Sequence, residues 1–204
     1  MFITFEGIDG SGKSTQIERT AAWLRERGWD VLVSREPGGS RLGEAIRSIL
    51  LDPQWKEMCG KAEFFLYSAS RAQLVEEIVR PHLSRRRAVV ILDRYDDSST
   101  AYQGGGRELG IETVESVNRF ATGALVPDVT FVLDLDWNTA CARRARSGEP
   151  ADRLEQNAHD FFERVRAAYH ELCLRHSGRM ILLDASRPPE DVFAKIVEAL
   201  RARM

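Results

Sequence analysis

Five short apolar runs recur along the chain, each followed by a segment with helical spacing, and this alternation narrows the fold more than any other feature. Phe2 to Glu6, Asp30 to Ser34, Ala88 to Asp93, Val129 to Asp134 and Met180 to Asp184 read as strands, rich in Val, Ile, Leu and Phe. Near-continuous apolar character, rather than strict alternation, is what a strand covered on both faces requires. Between and after them lie helix-sized segments: Ser14 to Arg27, Leu42 to Leu51, Lys61 to Leu83, Glu112 to Gly123, Thr139 to Arg146, Leu154 to His176 and Glu190 to Arg203. The first carries Ile17, Ala21 and Leu24 on one face and stops at Gly28, a suitable C-cap. Alternating β and α units imply an α/β fold, a parallel sheet with helices on both faces. No repeat, low-complexity tract or linker interrupts the pattern, so residues 1–204 are expected to form one domain. In such sheets ligands bind beyond the carboxyl ends of the strands, which directs attention to the residues just after each strand.

Composition removes several classes of function. The 29 basic and 31 acidic groups leave a net charge of −2, without the basic surplus that an unselective grip on nucleic acid needs. Cys59, Cys141 and Cys173 are scattered, with no CxxC pair, and fit neither a disulfide framework nor a zinc site. No apolar run approaches the roughly 18 to 20 residues of a membrane span, and MFITFEG lacks the features of a signal peptide. The expectation is a cytoplasmic protein with no membrane and no nucleic-acid partner.

After the first strand comes Gly7-Ile8-Asp9-Gly10-Ser11-Gly12-Lys13-Ser14-Thr15, a full match to GxxxxGK[ST]. The glycines let consecutive backbone N–H groups converge on phosphate oxygens, and the helix that follows adds its positive dipole end. Lys13 can reach the β and γ phosphates, and the Ser14 hydroxyl can ligate Mg²⁺. An ordinary glycine-rich turn would not require Lys then Ser at the helix start, so the segment reads as a nucleoside-triphosphate site.

The class of nucleotide protein follows from what accompanies that loop. A switch GTPase should carry Asn-Lys-x-Asp, and no Asn-Lys pair occurs in the chain. A motor ATPase usually places an Asp-Glu pair after a central strand, whereas the third strand here ends Asp93-Arg94-Tyr95. A cation following the acid suits an acceptor phosphate better than an activated water. The alternative for Asp93 and Arg94 is a salt-bridged pair at the sheet edge. A nucleoside kinase, with a neutral hydroxyl acceptor, or a kinase of another nucleoside monophosphate is the competing enzyme reading.

Four segments together carry a family resemblance. Arg35-Glu36-Pro37-Gly38-Gly39, Asp93-Arg94-Tyr95-Asp96-Asp97-Ser98-Ser99-Thr100-Ala101-Tyr102-Gln103-Gly104, Phe5-Glu6-Gly7 leading into the phosphate loop, and Asp152-Arg153-Leu154-Glu155 look like the signatures of thymidylate kinases, in order and over nearly the whole chain. The resemblance implies the P-loop kinase fold with a five-stranded parallel sheet and a short mobile lid. It also implies transfer of the ATP γ-phosphoryl to dTMP with Mg²⁺, and a homodimer. Arg94 would bridge the acceptor phosphate and the transferred group, Asp93 would sit near Mg²⁺, and Asp9 would approach the sugar 3′-hydroxyl, its alternative being to shape the turn. Tyr67 would stack on thymine, with Arg71 reading the base from one helical turn further on. Family members often have Phe where Tyr67 stands. Ser99 would contact thymine N3, and Tyr102 would crowd the sugar 2′ position. Glu36 and Gln103 fall in the same acceptor set. Arg47 would touch the acceptor phosphate or, equally, belong to a solvated helix face.

The stretch from about 141 to 153 resembles the lid. Ser147, Gly148 and Pro150 break the helix where a closing segment needs a hinge. Arg143, Arg144, Arg146 and Arg153 would ordinarily be a solvated face. Beside a phosphate loop they are candidates for neutralising the charge of transfer, and the loop itself holds no cation except Lys13. The resemblance favours Arg146 as the catalytic cation, with Arg143 and Arg153 binding ATP, assisting catalysis or holding the lid shut.

Overall fold

The computed structural model describes residues 1–147, 153–154 and 159–204, with only the backbone of 146 and 147. Five strands, β1 (Phe2–Glu6), β2 (Asp30–Arg35), β3 (Ala88–Asp93), β4 (Val129–Asp134) and β5 (Met180–Asp184), form one sheet in the order β2-β3-β1-β4-β5. Every neighbouring pair is parallel, with Phe2 opposite Val90, Ile3 opposite Val129 and Thr130 opposite Met180. Among the described residues the helices are α1 (Lys13–Arg25), α2 (Arg41–Leu51), α3 (Gly60–Leu74), α4 (Arg80–Leu83), α5 (Asp96–Ser99), α6 (Ile111–Ala121), α7 (Trp137–Ser147), α8 (His159–Arg175) and α9 (Pro189–Arg201).

Strand parity sorts the core onto the two faces. Ile3, Phe5, Val89 and Ile91 pack with Ile17, Ala21 and Leu24 of α1 and Val192, Ile196 and Leu200 of α9. Their neighbours Phe2, Val90 and Leu92 pack with Leu74, Val75 and Val79 on the other side. The apolar strands are thus covered on both faces at β1, β3 and β4, but not at the edges. Val33 of β2 and Leu182 of β5 are 39% and 42% exposed, because an edge strand lacks a neighbour over which helices can close.

Two helical regions differ from the sequence pattern. The expected helix over 61–83 begins at Gly60 and widens into a π turn at Val75–Val79 before α4. Pro81 explains the widening: its ring crowds the carbonyl four residues back, and the Arg80 N–H bonds instead to the Val75 carbonyl, five back. The second is α5 and the π-helical Thr100–Gly106, where the sequence offered motif residues and three glycines. A Cβ on Gly106 would lie 2.5 Å from Phe161 and one on Gly105 would lie 2.7 Å from Ala168, so glycine is what lets α8 pack against this stretch. The helix expected to start at Leu154 is described from His159, and the 148–152 part of the expected lid lies outside the described residues.

Candidate active site

The phosphate loop leaves β1 and turns into α1 on backbone that only glycine tolerates. Gly7 has φ +130, and a Cβ there would sit 2.5 Å from the Leu133 carbonyl; Gly10 has φ +84, and a Cβ would sit 2.7 Å from the Ala140 carbonyl. The loop is therefore seated against the end of β4 and the first turn of α7. Lys13, Gln16, Ile17, Thr20, Ala21 and Leu24 form the buried stripe of α1, which draws Lys13 inward. Its ammonium donates to the Gly7 and Ile8 carbonyls at 3.1 and 3.2 Å and lies 3.7 Å from Asp9. Burial, and Arg94 nearby, lower the Lys13 pKa. Ser11 is buried, whereas Ser14 and Thr15 are exposed at the helix start.

Arg94 follows β3 with φ +69, a left-handed conformation that a long side chain adopts at a cost. It is fixed there by its N–H to the Phe5 carbonyl, 2.9 Å. The guanidinium donates to Asp9 at 2.9 Å, to Ser98 at 3.3 Å and to the Tyr102 hydroxyl at 3.4 Å. Burial would raise the Asp9 carboxyl, but Arg94 and Lys13 overrule it and hold it well below the carboxylate range. Beneath this pair lies Glu6, fully buried, which accepts from the Tyr95 N–H at 2.7 Å, from Ser98 at 2.5 Å and from the Tyr169 hydroxyl at 2.8 Å. Burial, reinforced by Asp97, pushes its pKa up to about 7 against these bonds.

Beside Arg94 opens a pocket that collects every acceptor residue expected from the sequence: Asp9, Glu36, Arg47, Tyr67, Arg71, Arg94, Ser99, Tyr102 and Gln103. Tyr67 and Arg71 share the buried face of α3. Arg71 donates to Glu36 at 2.7 Å, to Asn118 at 2.8 Å, to the Tyr95 carbonyl at 3.1 Å and to Ser99 at 3.0 Å. These bonds engage four of the five N–H groups of a guanidinium and fix its plane at the pocket wall. Burial pushes Glu36 up to about 7 despite Arg71, and its second carboxylate oxygen is buried without a hydrogen bond. Arg47 donates to the Pro37 carbonyl at 2.9 Å, so it faces the pocket rather than a solvated surface. Gln103 donates to Glu63 at 2.9 Å.

On the other side of the loop, Arg143 of α7 donates to the carbonyls of Ala185 at 3.0 Å and Gly10 at 3.5 Å. It lines a second cleft with Gly10, Gly12, Thr15, Arg187 and Pro189. The side chain of Arg146 lies outside the described residues. Arg153 is not brought to the phosphate loop: its guanidinium donates to the Leu50 carbonyl at 2.8 Å and pairs with Glu63 at 2.7 Å. Leu154 beside it packs on Ile46, Leu50 and Tyr67, which draws this turn to the acceptor pocket instead.

No group of three His, Cys, Asp or Glu among the described residues is placed to cage a metal. Ser14 and Asp93 nevertheless suit Mg²⁺, which binds through one or two protein oxygens and fills its remaining positions with phosphates and water. One carboxylate oxygen of Asp93 is buried without a hydrogen bond. Glu6, Ser98, Asn118 and Tyr169 belong to the site without having been singled out in the sequence; only the Glu-Gly start of the phosphate loop and the Ser of the Asp93–Gly104 segment hinted at two of them.

A phosphate-loop motif whose aspartate is tied to an arginine at the mouth of a second, aromatic-walled pocket is the arrangement of a P-loop nucleotide kinase. The family model for thymidylate kinase matches residues 5–196. Thymidylate kinase of Pelotomaculum thermopropionicum is 48% identical over 97% of this chain and 91% of its own length. That of Halothermothrix orenii is 48% identical over 98% and 96%. The crystal structure of thymidylate kinase from Ehrlichia chaffeensis superposes with a TM-score of 0.79 at 29% identity, covering 98% of both chains. The chain belongs to the thymidylate kinase family.

Proposed function

We infer that this enzyme phosphorylates dTMP to dTDP by holding its two anionic substrates on opposite sides of Arg94. The observation that supports this division is the 2.9 Å contact between Arg94, which lines the acceptor pocket, and Asp9, which belongs to the phosphate loop. Two like-charged groups must be brought together before transfer, and a fixed cation between them removes much of that cost. In this reading residues 7–15 bind the ATP phosphates through backbone N–H groups, and Lys13 leaves its loop carbonyls for the β and γ phosphates. Arg143 borders the nucleoside end of ATP. Ser14 and Asp93 hold Mg²⁺, which when bound screens phosphate charge and orients the triphosphate. Tyr67 stacks on thymine, Arg71 and Ser99 read its edge, and Tyr102 excludes a 2′-hydroxyl. Glu36 holds Arg71, Gln103 borders the same pocket, and Arg47 and Arg94 take the acceptor phosphate. Arg146 supplies the cation for the charge that develops on the transferred group. Arg153, given its contacts with Leu50 and Glu63, acts by holding its segment in place.

In this reading residues 1–204 work as one domain, in the cytoplasm, as a homodimer. Support for a second copy comes from Phe65 of α3 and Phe120 of α6, 61% and 89% exposed on two helices that pack together. No described helix is long and apolar enough to cross a membrane. A coupled assay of ATP consumption across nucleoside monophosphates tests the acceptor assignment. Turnover should be highest with dTMP. Loss of the methyl in dUMP should lower kcat/KM by about 10- to 200-fold, without abolishing activity. A preference for dCMP or dGMP would overturn the base pocket.

A further inference from the structure

Glu63 is a fully buried carboxylate with no part in the reaction proposed above. It lies on α3 with a side chain 0% exposed, one and two turns before Tyr67 and Arg71 on the same face. Two separate parts of the chain meet on it. Gln103, a wall of the acceptor pocket, donates to Oε1 at 2.9 Å. Arg107, just after the π-helical stretch, donates to Oε1 at 3.2 Å and to Oε2 at 3.0 Å. Arg153 approaches Oε2 at 2.7 Å, and its own N–H and Nε bond to the carbonyls of Leu51 and Leu50 at 3.3 and 2.8 Å. Leu154, next in the chain, lines the same pocket as Gln103 and belongs to the same buried cluster as Tyr67.

A buried carboxylate is costly unless it is paired, and here two guanidiniums and an amide pair it. Burial alone would raise its pKa, yet Arg107, Gln103 and Arg153 hold it below the usual range, so it is ionised at neutral pH. We propose that Glu63 is a positioning residue for the acceptor nucleotide: it clamps the Gln103 wall and the Arg153–Leu154 turn to each other, so that bound dTMP is enclosed between Tyr67, Gln103 and Leu154. The inference rests on the assignment of that pocket to dTMP.

Titration calorimetry with dTMP and steady-state kinetics on Glu63→Gln, Arg153→Gln and the double variant test it. Each single variant should weaken the dTMP Kd and KM by about fivefold or more, a typical coupling between sites, with the KM for ATP within about twofold of wild type. The double variant should be no weaker than the worse single one, because both remove the same clamp. Should Glu63→Gln fail to fold, Arg153→Gln decides alone, since it removes the partner that ties the covering turn. A folded Arg153→Gln or Glu63→Gln protein that binds dTMP as wild type does, or losses that multiply in the double variant, would overturn the clamp. Loss of ATP and dTMP affinity by the same factor would overturn it too, since that marks general loosening. Wild-type protein that does not bind dTMP would overturn the pocket assignment and the clamp together.

Discussion

Arg71, on the proposed acceptor side, is held by Glu36, Asn118, Ser99 and the Tyr95 carbonyl, whereas Lys13, on the proposed donor side, is held by the Gly7 and Ile8 carbonyls of its own loop. The first set reaches across 24 to 47 residues of sequence, the second across 5 and 6. On that proposed division, a donor site made of local backbone would not distinguish one nucleoside triphosphate from another. An acceptor site made of buried side chains from four elements is rigid, and rigidity is what base selection needs. Glu6 joins the two, since its partners Tyr95, Ser98 and Tyr169 come from the acceptor side while its strand leads into the phosphate loop.

The sharpest way to break this comparison is to remove one cation from each side. Arg71→Met should abolish dTMP turnover and also cost stability, on the order of 3 to 5 kcal/mol, because Glu36, Asn118 and Ser99 lose a buried partner. Lys13→Ala should lower kcat by about 10² to 10³. Lys13 is buried, with two loop carbonyls as partners, so a small loss of melting temperature is expected as well, about 2–4 °C per kcal/mol in a chain of this size. Equal stability losses in the two variants, measured by thermal unfolding, would erase the distinction between the sides.

The same contrast governs what could be read from the sequence. The strands, the phosphate loop and the Arg94 turn follow from local spacing, and all nine acceptor residues meet in one pocket. The supports of that pocket were not legible, because nothing near Glu6 in sequence announces Tyr169, 163 residues away. The glycines at 105 and 106 conceal a helix, since their reason for being there is the approach of Ala168 and Phe161 from α8. For Arg153 the sequence allowed a phosphate ligand or a tie for the lid, and it is the contacts with Leu50 and Glu63 that support the second.

A further contrast, in kind more than in size, separates Arg146 from Arg153. Arg146→Ala should lower kcat strongly, toward the factor of about 10³ that a transition-state arginine supplies, while the melting temperature changes little. Arg153→Ala should instead raise the KM for dTMP and so lower kcat/KM, with kcat itself changed less, because its contacts with Leu50 and Glu63 lie beside the proposed acceptor pocket. Single-turnover rates decide between them. A loss below about threefold for Arg146→Ala, roughly 0.7 kcal/mol of barrier, would mean that another group supplies the charge.

The smallest expected effect is on pH, and the two sides should respond with opposite sign. Glu36 has its pKa raised from 4.5 to about 7, by burial that Arg71 does not fully offset. Below pH 4.5 its carboxyl keeps the proton in both folded and unfolded chains, so folding carries no penalty there. Between 4.5 and about 7 the unfolded chain ionises first, and stability is lost as the pH rises through that window. Asp9 behaves conversely: burial is overruled by Arg94 and Lys13, its pKa is depressed, and the stability it contributes is lost as the pH falls below the ordinary Asp range near 3.8. Glu36→Gln keeps an oxygen for the Arg71 Nε bond while removing the titration. The melting temperature of wild type minus that of Glu36→Gln should therefore fall between pH 5 and pH 8 by at least about 3 °C, roughly 1 kcal/mol. For Asp9→Asn the same difference should fall from pH 5 to pH 3, and by less, because the Asp9 side chain is 41% exposed and solvent screens its pairs. Differences that run in the same direction for both variants would show that the two carboxyls share one environment, and that the buried acceptor network and the phosphate loop are not separately built.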